Sequence, residues 1–264
     1  MNLNDVIAIE SIPDRSICVY EAENGYTVFR APQFPTYYTG NGISIERAGP
    51  SLAEWEAIHA RHFPVDRYDH RTFFFDDSDE FLPLTAAAKA HNYHCSHESF
   101  LHLAHAPAAA PPPPAGLVLR RIETEADWQE MRRFDDEQSN EEDWYVEGET
   151  ELFDKDRLVA RAIAMRWDYF ADAGTGQMRA KVGSFVHQGV VSLQDVMTDR
   201  TMRRQGIATA LLQTVIEDYR SAGIEHFTLC ADRDEDAIRI YRRLGFNELG
   251  SKIVMMTYPG AETD

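Results

Sequence analysis

The segment Arg203-Arg204-Gln205-Gly206-Ile207-Ala208 can bind an anion, because it delivers a basic, glycine-containing turn straight into the start of a helix pattern. The first four N–H groups of a helix lack internal partners, and the helix dipole adds partial positive charge at the same end. Gly206 lets a ligand approach the backbone without a Cβ in the way, and Ala208 and Ala210 keep the first turn thin. Two arginines on a surface turn are also common in αβ proteins that hold no ligand, so the turn alone names no function. Other side chains with chemistry to offer are the phenol of Tyr241 and the carboxylates Asp195, Glu147, Glu149 and Glu151.

These groups need elements to hold them. Val190 to Thr198 reads as a strand rich in β-branched residues. Ile207, Leu211, Val215 and Tyr219 then form one helical stripe, Ala208, Leu212 and Ile216 its neighbour, and Gly223 supplies a stop. A second strand, His226 to Ala231, precedes a short helix with Ala237, Ile240, Tyr241 and Leu244 on one face. Residues 246–249 and 252–258 suggest a last strand pair.

The run from Ala237 to Phe246 resembles the second signature of the GCN5-related N-acetyltransferases (GNAT), and Arg203 to Ala208 is similar to that family's pyrophosphate loop, R/Q-x-x-G-x-G/A. The two stand in the family's order and at its usual separation, and the resemblance covers about residues 117–258. It implies an α/β (α+β) fold with a central, mostly antiparallel twisted sheet flanked by helices, and acetyl-CoA as co-substrate in a gap between two splayed parallel strands. Val196, Met197 and Thr198 would then offer main-chain groups to the pantetheine arm, although Thr198 stands where valine is more usual. Arg203, Arg204, Gln205, Gly206, Ile207, Ala208 and Thr209 would bind the pyrophosphate. The Met197 main chain would meet the oxyanion, and Tyr241 would donate a proton to the departing thiolate. Asp234 occupies a position where many members carry Asn; an acid suits a polyphosphate poorly, and a cap on a helix starting near Glu235 is its alternative role. The resemblance further implies that the acceptor is a primary amine of a small molecule or peptide. A lysine-like amine has a pKa of about 10.4, so a proton acceptor is required. Asp195, Glu147, Glu149 and Glu151 remain open candidates for it, each also readable as a solvated carboxylate. A non-catalytic acyl-CoA sensor or interaction module is the rival reading.

Ala106 to Gly116, with four consecutive prolines, marks a semi-rigid linker between segments 1–105 and 117–264. The N-terminal segment opens with a hairpin around Asn24-Gly25, continues with strand 42–46, helix 51–62, strand 71–76 and helix 80–91, and ends with strand 99–105. That order matches the later part of the C-terminal segment, with Gly49 corresponding to Gly206, and implies a tandem GNAT-like repeat; two unrelated αβ modules are the alternative. In the first copy, Pro50 has no N–H to donate and Glu46 would repel a diphosphate, so it reads as degenerate. The histidines 91, 94, 97, 102 and 105 lack a partner set with zinc-ligand spacing and read as a polar sheet edge, with no metal site. Trp144 and Tyr145 in loop 140–150 would border the acceptor pocket or bury against the N-terminal half.

A formal charge of -18 over 264 residues argues against nucleic acid or an anionic membrane as the main partner. Three scattered cysteines, Cys18, Cys95 and Cys230, read as reduced thiols, and neither a signal-peptide pattern nor a membrane-length apolar run is present. The expectation is a cytoplasmic enzyme, a monomer or homodimer.

Overall fold

The computed structural model describes residues 1–104, 114–139 and 151–259. Most of the proline-rich linker lies outside them, as do His105, Trp144, Tyr145, Glu147 and Glu149. Two short helices come first, α1 (Leu3–Glu10) and α2 (Ile12–Arg15), ahead of the hairpin with which the sequence pattern begins. Asn2 caps α1 through a reciprocal capping box with Asp5. β1 (Val19–Glu23) and β2 (Tyr26–Arg30) form the hairpin, with Gly25 at φ 94 in its turn. Next come β3 (Gly42–Ile45), α3 (Leu52–His62), β4 (Arg71–Asp76), α4 (Leu82–Ala90) and β5 (His94–Leu103).

The C-terminal half contributes β6 (Leu117–Arg121), α5 (Glu125–Ser139), α6 (Glu151–Ile163), β7 (Arg166–Asp172), β8 (Met178–His187) and β9 (Val190–Thr198). It ends with α7 (Ile207–Ser221), β10 (His226–Asp232), α8 (Ala237–Arg243) and β11 (Asn247–Thr257). The order β1-β2-β3-α3-β4-α4-β5 thus recurs as β7-β8-β9-α7-β10-α8-β11, and in each copy the third and fourth strands run parallel. All eleven strands join one mixed sheet, β1-β2-β3-β4-β11-β5-β10-β9-β8-β7-β6, whose other neighbours are antiparallel.

The middle of that sheet shows a reciprocal exchange. β5, from the N-terminal half, lies against β10, and β11, from the C-terminal half, lies against β4. Leu101 and Leu103 are therefore buried in the core beneath α7, while Ile253 and Met255 are buried in the core beneath α3 and α4. Two expectations need correction here. The histidine-bearing strand starts at His94 and is internal, bonded on both sides, not a sheet edge. The last strand pair is one bulged strand whose register shifts between Glu248 and Gly250. Among the described residues, no three His, Cys, Asp or Glu side chains converge as a metal site, and no helix is long and apolar enough to cross a membrane.

Period-2 alternation divides the helices between the two faces. Phe170 of β7 joins the α7 core, whereas Trp167, Tyr169 and Ala171 pack beneath α5 and α6. α1 lies on the α5/α6 face, crossing β5 and β10, with Leu3 over Gly250 and Ile9 against Phe185 and Val190.

One core residue sets an acid limit on stability. His59 of α3 stacks on Phe63, with ring centroids 4.4 Å apart, and its Nε2 has no hydrogen-bond partner among the described residues. Burial, reinforced by His70, Arg71 and His62, pushes its pKa down to about 3. A depressed folded-state value means that the contribution is fully present above the unfolded value of about 6.5 and is lost as pH falls toward 3. Urea unfolding of His59→Leu at pH 7, 6 and 5 is expected to show a stability profile flatter by about 1.4 kcal/mol per pH unit below 6.5 than the native chain.

Candidate functional site

The site begins with a bulge. Gln194 of β9 pairs with Gly183 and Met197 with Lys181, so Asp195 and Val196 together oppose the single residue Val182. Asp195 takes φ 46, a left-handed conformation that disfavours a side chain. Lys181 holds it there: its ammonium, only 2% exposed, lies 2.6 Å from Asp195 Oδ2 and 2.6 Å from Asp135 Oδ1, over the Trp167 ring. Burial would raise the Asp195 pKa, but Lys181 overrides it and holds the carboxyl below its ordinary range. Burial and the neighbouring Asp195 charge push Asp135 up against the same ammonium.

The bulge bends β9 where its partnership with β10 stops. These strands pair only from Val190–His226 to Ser192–Thr228, although β9 runs on to Thr198 and β10 to Asp232. Val196, Met197 and Thr198 lie on the separated arm. Val196 packs toward the α7 core and the Met197 side chain toward the α5 core.

The basic turn lies directly beyond. A 3-10 turn at Arg200–Met202 leads to Arg204 at φ 63 and Gly206 at φ 79, and Gly206 is the N-cap of α7 with no side-chain cap. The first helical bond runs from Ala210 N–H to the Gly206 carbonyl, 2.9 Å. The amides of Ile207, Ala208 and Thr209 therefore precede the helical ladder and are available to an anion. A Cβ built on Gly206 would meet nothing within 4 Å. Arg203 Nε donates to the Thr198 carbonyl at 3.3 Å, tying the turn to the separated strand, and Arg204 is exposed, 3.7 Å from Asp236. α8 starts at Ala237 with Asp236 at its N-cap, so Asp234 does not cap it; the Asp234 N–H donates to Asp232 instead.

Tyr241 of α8 is buried in the same core as Val196, edge-on to Phe246. Burial, and then the Asp195 charge, raise its pKa above the ordinary phenol value. It stays protonated and can only donate.

On the opposite face a cavity of about 260 Å³ opens onto the bulge. Its floor is Lys181, Gln194, Asp195 and Met197, and its walls come from α2, α5 and α6, with Tyr37. Asp14 accepts from Tyr37 Oη at 2.6 Å, and Lys155 lies 2.9 Å from Asp156. Glu151 is tied to the Thr36 N–H, 2.9 Å, and holds the start of α6 to the N-terminal half.

Glu10, absent from the sequence-derived candidates, completes the site. The last residue of α1, it accepts from Ser192 Oγ (2.9 Å), Thr228 Oγ1 (2.5 Å) and Gln194 Nε2 (2.6 Å). Burial outweighs those three bonds and pushes its pKa up to about 7. No local motif marks Glu10, because the residues it meets lie more than 180 positions away.

At the equivalent turn in the first copy, which borders a cavity of about 420 Å³, the chain's own carboxylates take up backbone amides. The Ala48 N–H donates to Glu80 Oε1 at 3.0 Å. Ser51 and Glu54 close a capping box at the start of α3, with Ser51 N–H to Glu54 Oε2 at 2.8 Å. Two carboxylates thus occupy the amides that a phosphate would need.

A sheet opened by a bulge at a parallel strand pair, beside an uncapped helix start, defines a GNAT-type acyl-transfer fold. Residues 117–246 match the acetyltransferase (GNAT) family, and the chain carries a domain of that family there. Solved structures with the same fold cover both halves. A conserved protein of unknown function from Staphylococcus epidermidis superposes with a TM-score of 0.67 at 11% identity, over 92% of this chain and 94% of that one. A GCN5-related N-acetyltransferase from Kribbella flavida gives 0.62 at 14% identity, over 97% and 96%. A tandem GNAT protein from the clavulanic acid biosynthesis pathway gives 0.55 at 13% identity, over 92% and 84%. No curated protein matches the sequence.

Proposed function

We propose that this protein is a cytoplasmic, acetyl-CoA-dependent N-acetyltransferase that acetylates a primary amine of a small molecule or peptide. The observation that carries the reading is the separated arm of β9 ending in the uncapped turn of α7. Acetyl-CoA would bring an acyl thioester to this opening. In the reading, the amides from Arg204 to Thr209 hold the diphosphate, with Arg203 bracing the turn, and the main chain from Val196 to Thr198 aligns the pantetheine arm. The Met197 main chain faces the oxyanion, where a pre-aimed N–H stabilises developing charge. Tyr241 hands its proton to the sulfur as the C–S bond breaks. The internal repeat already supplies a pseudo-dimeric sheet, which favours a monomer.

Isothermal titration with acetyl-CoA tests the reading, and one site per chain is expected because the first copy's turn is occupied by Glu54 and Glu80. No binding would refute it; binding without thiol release across an amine panel would leave a sensor. Tyr241→Phe is expected to lower kcat about 10²-fold, a usual contribution for a positioned proton donor, with acetyl-CoA affinity unchanged within about twofold. Unchanged kcat would remove Tyr241 from the chemistry.

A further inference from the structure

We propose that Glu10, carried by the N-terminal helix α1, is the group that takes the proton from the acceptor amine at the C-terminal half's site. The inference rests on the acetyl-transfer reading and adds its missing base. Ser192 and Thr228 are the last residues that pair β9 with β10, and Glu10 bonds both, so its carboxylate sits at the vertex of the opening. Its third partner, Gln194, forms part of the cavity floor beside Asp195 and Met197. Glu10 itself keeps part of its surface accessible. Gln194 thus links this carboxylate to the cavity from which an amine would enter, next to the arm of β9 that would hold the thioester.

Among the described residues no ion pair reaches Glu10, unlike the carboxylates that brace the sheet. Asp168 has Arg121 and Arg166, Asp199 has Arg179, and Asp195 has Lys181. Glu10 has a hydroxyl, a hydroxyl and an amide. A glutamine's carbonyl could keep the bonds from Ser192 and Thr228 without the cost of burying charge, and only the bond from Gln194 needs a second acceptor oxygen. On this face β10 presents His226, Cys230 and Asp232, β5 presents Glu98 and His102, and α2 presents Asp14. Cys230 donates to Glu98, and a thiol and a carboxyl carry no positive charge in either protonation state. His102 and His226 stack on each other, and burial followed by His226 lowers the His102 value. Burial sets the Glu10 carboxyl at about 7, where a base working near neutrality belongs.

The proton balance closes. Glu10 takes one proton from the ammonium, and the neutral nitrogen forms the C–N bond to the thioester carbon. The second N–H proton leaves as the adduct collapses, and it offsets the proton that Tyr241 gives to the departing thiolate. One proton per turnover passes from Glu10 to solvent.

Glu10→Gln decides the matter, with CoA thiol release measured against lysine, spermidine, tyramine, glucosamine and water alone as acceptors. The expected result is a 10²- to 10³-fold fall in kcat/KM at pH 7 and loss of the limb near pH 7, with acetyl-CoA affinity within twofold of wild type and a cooperative thermal melt. Glu10→Asp should retain the limb at reduced rate, which a structural tie would not require. A Glu10→Gln enzyme with wild-type rate and pH profile overturns the assignment. So does one whose acetyl-CoA affinity falls in step with its rate. Failure of the acetyl-transfer reading itself looks different: wild-type protein would then bind no acetyl-CoA, or bind it and release no thiol with any acceptor.

Discussion

Gly206→Glu is expected to abolish acetyl-CoA binding, weakening it at least 10²-fold, while the chain stays folded. Gly206 sits at φ 79 at the N-cap of α7, and an added Cβ meets nothing within 4 Å. The side chain therefore fits, and the fold loses only the cost of a left-handed non-glycine residue, about 1–2 kcal/mol. The carboxylate then lies among the amides of the first turn, which it satisfies, and opposes the diphosphate. Two unit charges 4 Å apart interact with about 4 kcal/mol near a protein surface, and each 1.4 kcal/mol is a factor of ten in affinity. The first copy contains this arrangement naturally, with Glu80 on the Ala48 amide and Glu54 on that of Ser51. Gly206→Ala separates charge from backbone strain and should bind within about fivefold of wild type. Titration calorimetry with a parallel thermal melt reads both variants. A folded Gly206→Glu protein that binds acetyl-CoA normally would move the diphosphate elsewhere.

Lys181→Met is expected to cost about 1–3 kcal/mol of stability at pH 7, because it strands two carboxylates that are only partly exposed, Asp195 at 43% and Asp135 at 25%. Its ammonium is the shared cation of Asp135 and Asp195, and its removal leaves two carboxylates facing each other beside the cavity. The pH dependence follows in sign. Wild-type Asp195 has a lowered value, so its contribution is present above the unfolded value of about 3.9 and is lost as pH falls below it. In the variant both carboxyls rise, so protonation relieves them, and the deficit should shrink between pH 7 and pH 5. Adding Asp195→Asn should recover much of the loss. Urea titrations of the single and double variants at the two pH values measure this. A Lys181→Met protein as stable as wild type would show that the triad holds nothing in place.

The legible part of this molecule was the part whose elements are close in sequence. Strand 190–198, the Gly206 turn, and α7 with its Gly223 stop are set by β-branched runs, helical stripes and glycine, all local signals. Asn24-Gly25 and the pattern of 71–76 likewise placed β2 and β4. Three things escaped. The internal position of β5 depends on which strand binds its two edges, and a sequence rich in His and Ser looks like an edge until β10 and β11 close on it. α1 carries a cap and an apolar stripe, yet its register over β9 and β10 follows from contacts that no local pattern encodes. Asp195 was visible as a carboxylate, but its cation is on the neighbouring strand, joined to it by a bulge that forms only in the paired sheet.

The crossing of β5 and β11 gives the N-terminal copy a role that deletion would expose. Leu101 and Leu103 belong to one hydrophobic nucleus and Ile253 and Met255 to the other. Excising either moiety strips a strand from its sister and bares an apolar floor. The molecule should accordingly melt as a single cooperative unit. A copy bound in this way is kept by selection for its strand alone, because the other half cannot close its sheet without it.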